Sequence, residues 1–391
     1  VTRVLVSCGE ASGDLLAGGV IRALRQIDPS IEVTGLGGEQ CRAAGAQTRW
    51  DVRELSVMGI GEVLPRLRRI LAIMSEIVAY ARESRPDVAL LVDAPDFNLR
   101  LARRLRKLGI RVVSYVSPTV WAWRQGRVKT IGRSVDALCC ILPFEERWYR
   151  ERGVQATFVG HPLLEHEPAP AAVAGLRSEL LAGSTGPLLA VLPGSRRPEV
   201  ERLLPPMLGA ARLLAQRFPG LEVALPRAST IRRDMVDRLA AESGFAPRIL
   251  EGRAREVLGA ADAALVASGT ATLEAALAEV PTVVAYRVSF LTELVFRLFV
   301  RTPFISLPNI LAGEAILPEI LQSAVTPAVL AERVTPLLQP GPERARMKER
   351  LAAVRASLGE PGASARVAAA VLGRQLEAPV ASRSLPAAGA R

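Results

Sequence analysis

Residues 88–98 read VALLVDAPDFN: five apolar residues, Val88 to Val92, run without a break into Asp93-Ala94-Pro95-Asp96-Phe97-Asn98. A short apolar run with no polar alternation is a strand buried on both faces, the kind found in parallel sheets covered by helices. Pro95 has the fixed backbone angle that suits the start of a helix, and Leu99 to Lys107 follow at helical spacing. One passage thus predicts a βα unit, and in such sheets ligands collect at the carboxyl ends of the strands.

Outward from this stretch the unit recurs. Arg3 to Ser7 leads through GEASGD, Gly9 to Asp14, into a helical pattern over Leu15 to Gln26, and Val112 to Val116 and Ala137 to Leu142 supply further strands. Around Gly160 to Gly175 the pattern dissolves into GHPLLEHEPAPAAVAG, which reads as a linker. A second series follows with Leu188 to Leu192, Val223 to Leu225, Ala263 to Val266 and Thr282 to Ala285, each opening into a Gly, Pro or Ser turn. The expected class is α/β, with two Rossmann-like doubly wound domains, residues 1–165 and 166–376, facing across a cleft. Residues 377–391, dominated by Ala, Pro, Ser and Arg, are expected to be a disordered tail.

Composition narrows the chemistry. The 391 residues are 49% hydrophobic but only 4% aromatic, so the core is built from Ala, Leu, Val and Ile. Fifty basic against 39 acidic residues leave a net charge of +11, which favours an anionic partner. Only Lys107, Lys129 and Lys348 are lysines, and that compositional bias toward Arg weakens charge as a guide. Cys8, Cys41, Cys139 and Cys140 have no disulfide or metal spacing, and His161 and His166 are too few for a His-based metal centre or a serine triad. No metal or cofactor is expected, and the chemistry must lean on carboxylates in a reducing compartment. The chain opens on a strand-like RVLVS rather than a leader. Its longest uncharged run, Leu180 to Ser195, has 16 residues broken by Gly and Pro, so no membrane-spanning helix is expected. A mean hydropathy of +0.23 keeps peripheral membrane contact open.

Four turns can carry chemistry. GEASGD lacks the GxGxxG pattern, and its Glu10 and Asp14 would repel a pyrophosphate. Either Gly9 and Gly13 simply permit a tight turn with Asp14 in the helix's first turn, or Glu10 takes sugar hydroxyls. In DAPDFN one Asp caps the helix and the other is free; facing an apolar cleft, it would have a raised pKa and act as general base toward a substrate hydroxyl. These residues do not choose between Asp93 and Asp96, and Asn98 adds an amide. LPGSRRPE, Leu192 to Glu199, offers Gly194, Ser195 and Arg196 at a helix start, a site for a diphosphate or a plain capped turn. SGTATLE repeats the arrangement: Ser268, Gly269, Thr270 and Thr272 suit phosphate oxygens and Glu274 suits ribose hydroxyls, or else a Thr caps the helix and the Glu meets its dipole. Asn309 and Glu314, in SLPNILAGE, could line the same cleft.

Two amphipathic stretches have two readings each. Val57 to Val78, with Arg66, Arg68 and Arg69 interspersed, fits a lipid interface or a core-facing helix, and Phe290 to Phe304 shares the ambiguity. Trp121 and Trp123, near Arg124 and Arg127, either stack a base or sugar or pack a corner.

Together these motifs resemble the lipid-A-disaccharide synthases, glycosyltransferases of the GT-B fold. The resemblance spans Val4 to Gln322 and rests on GEASGD, LSVMGIGEVLPRLRR, DAPDFN, YVSPTVWAWRQGRVKTIGR, LPFE, GHPLLE, LPGSR, ASGTATLE and SLPNILAGE. Gly37-Gly38-Glu39-Gln40-Cys41 departs from it, standing where glycines followed by Pro and Met are expected. The resemblance implies an inverting transfer of 2,3-diacylglucosamine from UDP-2,3-diacylglucosamine to the 6-hydroxyl of 2,3-diacylglucosamine 1-phosphate, giving a β-1,6 disaccharide and UDP. It further implies Asp96 as the base, the acceptor on the N-terminal domain and the nucleotide on the C-terminal one. It places the enzyme on the cytoplasmic face of the inner membrane, in peripheral contact with its anionic surface. Met58, Val63, Leu64 and Leu67 are the candidate membrane or acyl-chain contacts. A different UDP-sugar enzyme is the nearest rival; a basic RNA-binding protein is a remoter one, and no nucleic-acid partner is expected.

Overall fold

The computed structural model describes residues 1–55, 63–123, 125–288 and 302–374. They form two compact units, one of Val1–Glu165 together with residues 358–374, the other of His166–Ser357.

The first unit is built on seven strands: β1 (Arg3–Cys8), β2 (Glu32–Gly37), β3 (Gln47–Asp51), β4 (Val88–Val92), β5 (Arg111–Tyr115), β6 (Ala137–Cys140) and β7 (Ala156–Phe158). They stand in the order β3-β2-β1-β4-β5-β6-β7, every pair parallel. Alternate residues of β1 feed opposite cores, as the period-2 geometry of a strand requires. Val4 and Val6 join one cluster with Val20, Ile21 and Leu24, while Leu5 joins another with Ile73, Met74, Ile77 and Leu101. The connecting helices therefore cover both faces.

The second unit repeats the plan with β8 (Leu188–Leu192), β9 (Glu222–Arg227), β10 (Arg248–Glu251), β11 (Ala263–Ala267), β12 (Thr282–Tyr286) and β13 (Glu319–Leu321). Their order is β10-β9-β8-β11-β12-β13, again all parallel. In both sheets the chain runs outward one way from the first strand and then restarts on its other side. The reversal lies between β1 and β4 in one unit and between β8 and β11 in the other, and a crevice opens at the carboxyl ends of such a pair.

Several expectations need correction. The segment 166–376 is not one domain: from Leu358 the chain returns to the first unit, where helix Ala363–Val371 buries Ala363, Val367, Ala368 and Val371 in the core beside β1. Arg111 fastens this helix by donating to the carbonyls of Ala370 and Val371, at 2.8 and 2.9 Å. The linker is shorter than Gly160 to Gly175, because Pro170 opens a helix that runs to Leu180. The helix after β4 begins at Pro95, so Asp96 lies in its first turn. Helix Val63–Ser84 faces the core on one side: Ile73, Met74 and Ile77 are buried, while Leu67 and Leu71 face solvent, 47% and 42% exposed. Met58, most of the Phe290 to Phe304 stretch and the tail from 377 onward lie outside the described residues. None of the described helices is long and apolar enough to cross a membrane.

Candidate functional site

At the first reversal, Cys8 of β1 pairs with Val92 of β4, so the GEASGD and DAPDFN turns leave the sheet side by side. Their approach is close enough to dictate residue type. A Cβ on Gly9 would fall 2.2 Å from the Cβ of Ala94, and the chain turns there through left-handed backbone at Asp93 and Ala94, φ 52° and 46°. Such angles are uncommon for residues with side chains and mark a turn held in place by its surroundings.

Much of the holding is done by Asn98. It is buried; its Oδ1 accepts from the Ser7 hydroxyl at 2.8 Å, and its Nδ2 donates to the carbonyls of Asp93 and Val92 at 2.8 and 3.1 Å. Its amide is therefore committed to the scaffold rather than open to a ligand. Asp14 is committed likewise: its carboxylate accepts the backbone N–H groups of Gly38, Gln40 and Cys41 at 2.6, 2.9 and 3.1 Å, anchoring the start of helix Glu39–Ala43. Cys8, Asp14 and Cys41 are, among the described residues, the one cluster with metal-ligand chemistry. The Cys8 thiol bonded to it, and burial, push the Cys41 thiol far up, and Asp14 is already filled by backbone donors. Those bonds suit a packing and capping role for the cluster. Glu10 stands exposed at the head of helix Ala11–Ile27 and makes no capping bond.

Asp93 is half-buried and Asp96 projects into solvent. The apolar setting expected around a free Asp does not hold for Asp96. Its side chain is 76% exposed and accepts a bond from Arg127 Nη2 at 3.0 Å, so a guanidinium balances its charge. Arg127 belongs to the WAWRQGR stretch. Trp121 of that stretch packs a corner, edge-on to Phe144 at 5.0 Å, with its indole N–H donated to Glu145 at 3.0 Å.

The second reversal brings the two glycine turns together. β8 and β11 end level, Leu192 beside Val266, and the segments that follow them line one cleft of about 370 Å³. Gly194, Ser195, Arg196, Ser268, Gly269, Thr270 and Glu274 all line it. Gly194 has φ 111°, and a Cβ there would meet Glu199 Oε2 at 2.6 Å, so only glycine lets the turn close onto the helix start. Glu199 receives both the backbone N–H and a guanidinium nitrogen of Arg196, each at 3.3 Å, while leaving Arg196 80% exposed. Helices Arg197–Arg217 and Thr270–Leu277 thus both start at the edge of this cleft, an arrangement suited to anions.

Three expected ligands sit elsewhere. Thr272 is buried, its hydroxyl donated back to the Gly269 carbonyl at 2.8 Å. Asn309 is also buried: Oδ1 accepts from the backbone of Ile316 and Leu317, and Nδ2 donates to Leu317 O and Glu319, all at 2.8 to 2.9 Å. Glu314 pairs with Arg350 at 2.9 Å and, like Asn309, does not line the cleft. Conversely Pro226 and Arg227 at the end of β9, Ala228 just beyond it, and Gly252 and Ala254 after β10 also line the cleft and escaped the sequence reading. Their one visible signal was position, since each stands at or just past the carboxyl end of a strand.

With this geometry in hand, kinship can be stated. A family model described as lipid-A-disaccharide synthetase matches residues 4–371. The lipid-A-disaccharide synthase of Myxococcus xanthus is 50% identical over 370 residues, spanning 95% of this chain and 97% of that protein. The chain belongs to the lipid-A-disaccharide synthetase family. A second synthase, from Pseudomonas aeruginosa, is 45% identical over 343 residues, with 88% and 91% of the two chains covered. Members of this synthetase family are glycosyltransferases, and this one makes the lipid A disaccharide by glycosyl transfer. Solved structures agree on a GT-B architecture. MurG of Acinetobacter baumannii superposes with a TM-score of 0.58 at 15% identity, over 95% of this chain and 100% of that one. The UDP-GlcNAc 2-epimerase of Neisseria meningitidis gives 0.60 at 12%, over 95% and 99%. At such identities the likeness speaks for the synthetase's fold alone.

Proposed function

We propose that the enzyme transfers 2,3-diacylglucosamine from UDP-2,3-diacylglucosamine to the 6-hydroxyl of 2,3-diacylglucosamine 1-phosphate with inversion, the first unit handling the acceptor and the second the nucleotide. The observation that carries this reading is the convergence of two glycine turns and two helix starts on one cleft. The backbone of Gly194, Ser195, Gly269 and Thr270, with the Ser268 hydroxyl and Arg196, receives the diphosphate, and Glu274 receives ribose hydroxyls. Asp96 takes the proton of the acceptor 6-hydroxyl as that oxygen attacks the anomeric carbon. The bond from that carbon to the phosphate oxygen breaks, its electron pair leaves with UDP, and Arg196 and the helix N–H groups stabilise the growing negative charge. Arg127, bonded to Asp96, holds the carboxylate in one orientation until the acceptor arrives. Glu10 and Asp93, on the paired turns of the first unit, offer the acceptor sugar further hydrogen-bond partners.

The acyl chains of both substrates need an apolar surface. The outward leucines of helix Val63–Ser84 supply one at Leu67 and Leu71, and Met58, Val63 and Leu64 extend the same stretch in sequence. This favours peripheral attachment to the cytoplasmic face of the inner membrane.

The test is incubation with both acylated substrates, following UDP and disaccharide. Asp96→Asn is expected to lower kcat by about 10²-fold or more, and Arg196→Ala by about 10²-fold with a weaker hold on UDP. Full turnover by Asp96→Asn would remove the base from this scheme. Equal turnover of unacylated UDP-sugars would instead favour a different UDP-sugar enzyme.

A further inference from the structure

We propose that Arg255, which does not itself line the cleft, is a positioning residue that aims one oxygen of Glu274 at the ribose; this rests on the nucleotide reading given above. The geometry is that of a clamp. Arg255 Nε donates to Glu274 Oε1 at 3.0 Å, and its Nη1 donates to the backbone carbonyl of His166 at 2.8 Å. The guanidinium is planar and rigid, so fixing two of its nitrogens fixes the plane of the whole group. Both side chains are largely withdrawn from solvent, 27% exposed for Arg255 and 18% for Glu274, so the pair is not loosened by water as a surface ion pair is.

The clamp occupies only half of the carboxylate. Oε1 is taken by Arg255, and among the described residues no protein donor is bonded to Oε2. Glu274 lines the cleft at the first turns of helix Thr270–Leu277, whereas Arg255 approaches from helix Ala254–Ala260, whose Ala254 is the member that reaches the lining. A glutamate left to itself samples several side-chain rotamers and loses that freedom when ordered. Here that ordering is done before the nucleotide arrives, and the free oxygen already has its direction. Ribose hydroxyls are donors and fit an acceptor-only carboxylate oxygen; a phosphate group is itself an acceptor and is repelled by it. The chemistry of the free oxygen thus selects the sugar portion of a nucleotide, not its diphosphate.

Calorimetric titration with UDP and with 2′,3′-dideoxy-UDP tests this, using the full-length protein and its Arg255→Gln, Arg255→Lys and Glu274→Gln variants, with thermal melts alongside. Arg255→Gln is expected to weaken UDP about tenfold while leaving the dideoxy analogue within about twofold. Arg255→Lys, which keeps the charge but not the planar fork, should fall between. Glu274→Gln should erase most of the preference for UDP over its analogue, and adding Arg255→Gln to it should cost little more. Equal weakening of both ligands by Arg255→Gln and Arg255→Lys would show a merely structural role and overturn the proposal. So would full additivity of the double variant. If Glu274→Gln abolishes the preference and Arg255→Gln does not, Arg255 alone has lost its role. If Glu274→Gln also leaves the preference intact, the ribose contact itself is wrong and the clamp falls with it.

Discussion

Adding one methyl group at Gly9 tests how tightly the two turns of the first unit are coupled. In the structure the new Cβ would lie 2.2 Å from the Cβ of Ala94, whereas carbon atoms in contact sit about 3.5–4.0 Å apart. The DAPDFN turn must therefore retreat by more than about 1 Å. It has little slack to do so, because Asn98 pins the turn's carbonyls at Val92 and Asp93 and the neighbouring strand at Ser7. Overpacking of this kind costs about 1–3 kcal/mol, and misplacing a catalytic carboxylate by about 1 Å costs about 10²-fold in rate. Gly9→Ala should thus lose about 10² in kcat and 1–3 kcal/mol in stability, measured by UDP release and by urea midpoints. Ala94→Gly removes the opposing methyl, and at φ 46° a glycine suffers no steric penalty. That change alone should be close to neutral, and the double variant Gly9→Ala, Ala94→Gly should recover most of both losses. A Gly9→Ala enzyme with native kcat and stability, or a double variant no better than the single one, would refute the coupling.

Two further outcomes follow from the first unit. Burial pushes the Glu145 carboxyl up to about 7 from the ordinary 4.5, outweighing the stabilising bonds from Trp121 and the Leu142 backbone. The unfolded chain then ionises before the folded one, so this group's contribution is full below about pH 4.5 and is lost as pH rises through about 7, by about 3 kcal/mol in all. Urea midpoints at pH 5 and pH 8.5 should therefore favour wild type over Glu145→Gln less at the higher pH, and parallel shifts would contradict the assignment. On helix Val63–Ser84, replacing Leu67 and Leu71 together with Ser should leave stability within about 0.5 kcal/mol but reduce co-sedimentation with anionic phospholipid vesicles; undiminished sedimentation would deny these side chains a membrane role.

What could be read in the sequence divides along physical lines. The central strands were legible because Val88–Val92, Leu188–Leu192 and Ala263–Ala267 are fully buried, and full burial writes an unbroken apolar run. Edge strands write no such run: Gln47–Asp51 is mostly polar and Arg248–Glu251 has charged ends, so both passed as connections. The glycine turns of the second unit were legible as strand-to-helix turns because a tight turn at a positive φ, as at Gly194 and Gly269, demands glycine just before the helix starts. Asn98, Thr272 and Asn309 looked like ligands for the same reason that they are scaffold: a polar side chain beside a turn bonds equally well to substrate or to backbone, and only its burial decides. Arg255 and Glu274 lie 19 residues apart, a pairing that no local pattern can announce. The return of helix Ala363–Val371 to the first unit is likewise a long-range event, set by which core had room for its Ala and Val side chains.

That return has a consequence for how the polypeptide is born. Residues 1–165 emerge from the ribosome without the helix that completes their hydrophobic interior, and all of residues 166–357 must be made before it appears. At about 5–20 residues per second that interval is roughly 10–40 s. Through it the flank of β1 beside Val20 and Leu24 stays uncovered, while the later-made half has every piece it needs to finish first. Synthesis order and completion order are thereby inverted, and a nascent chain arrested before residue 363 carries an open apolar seam that chaperones can grip.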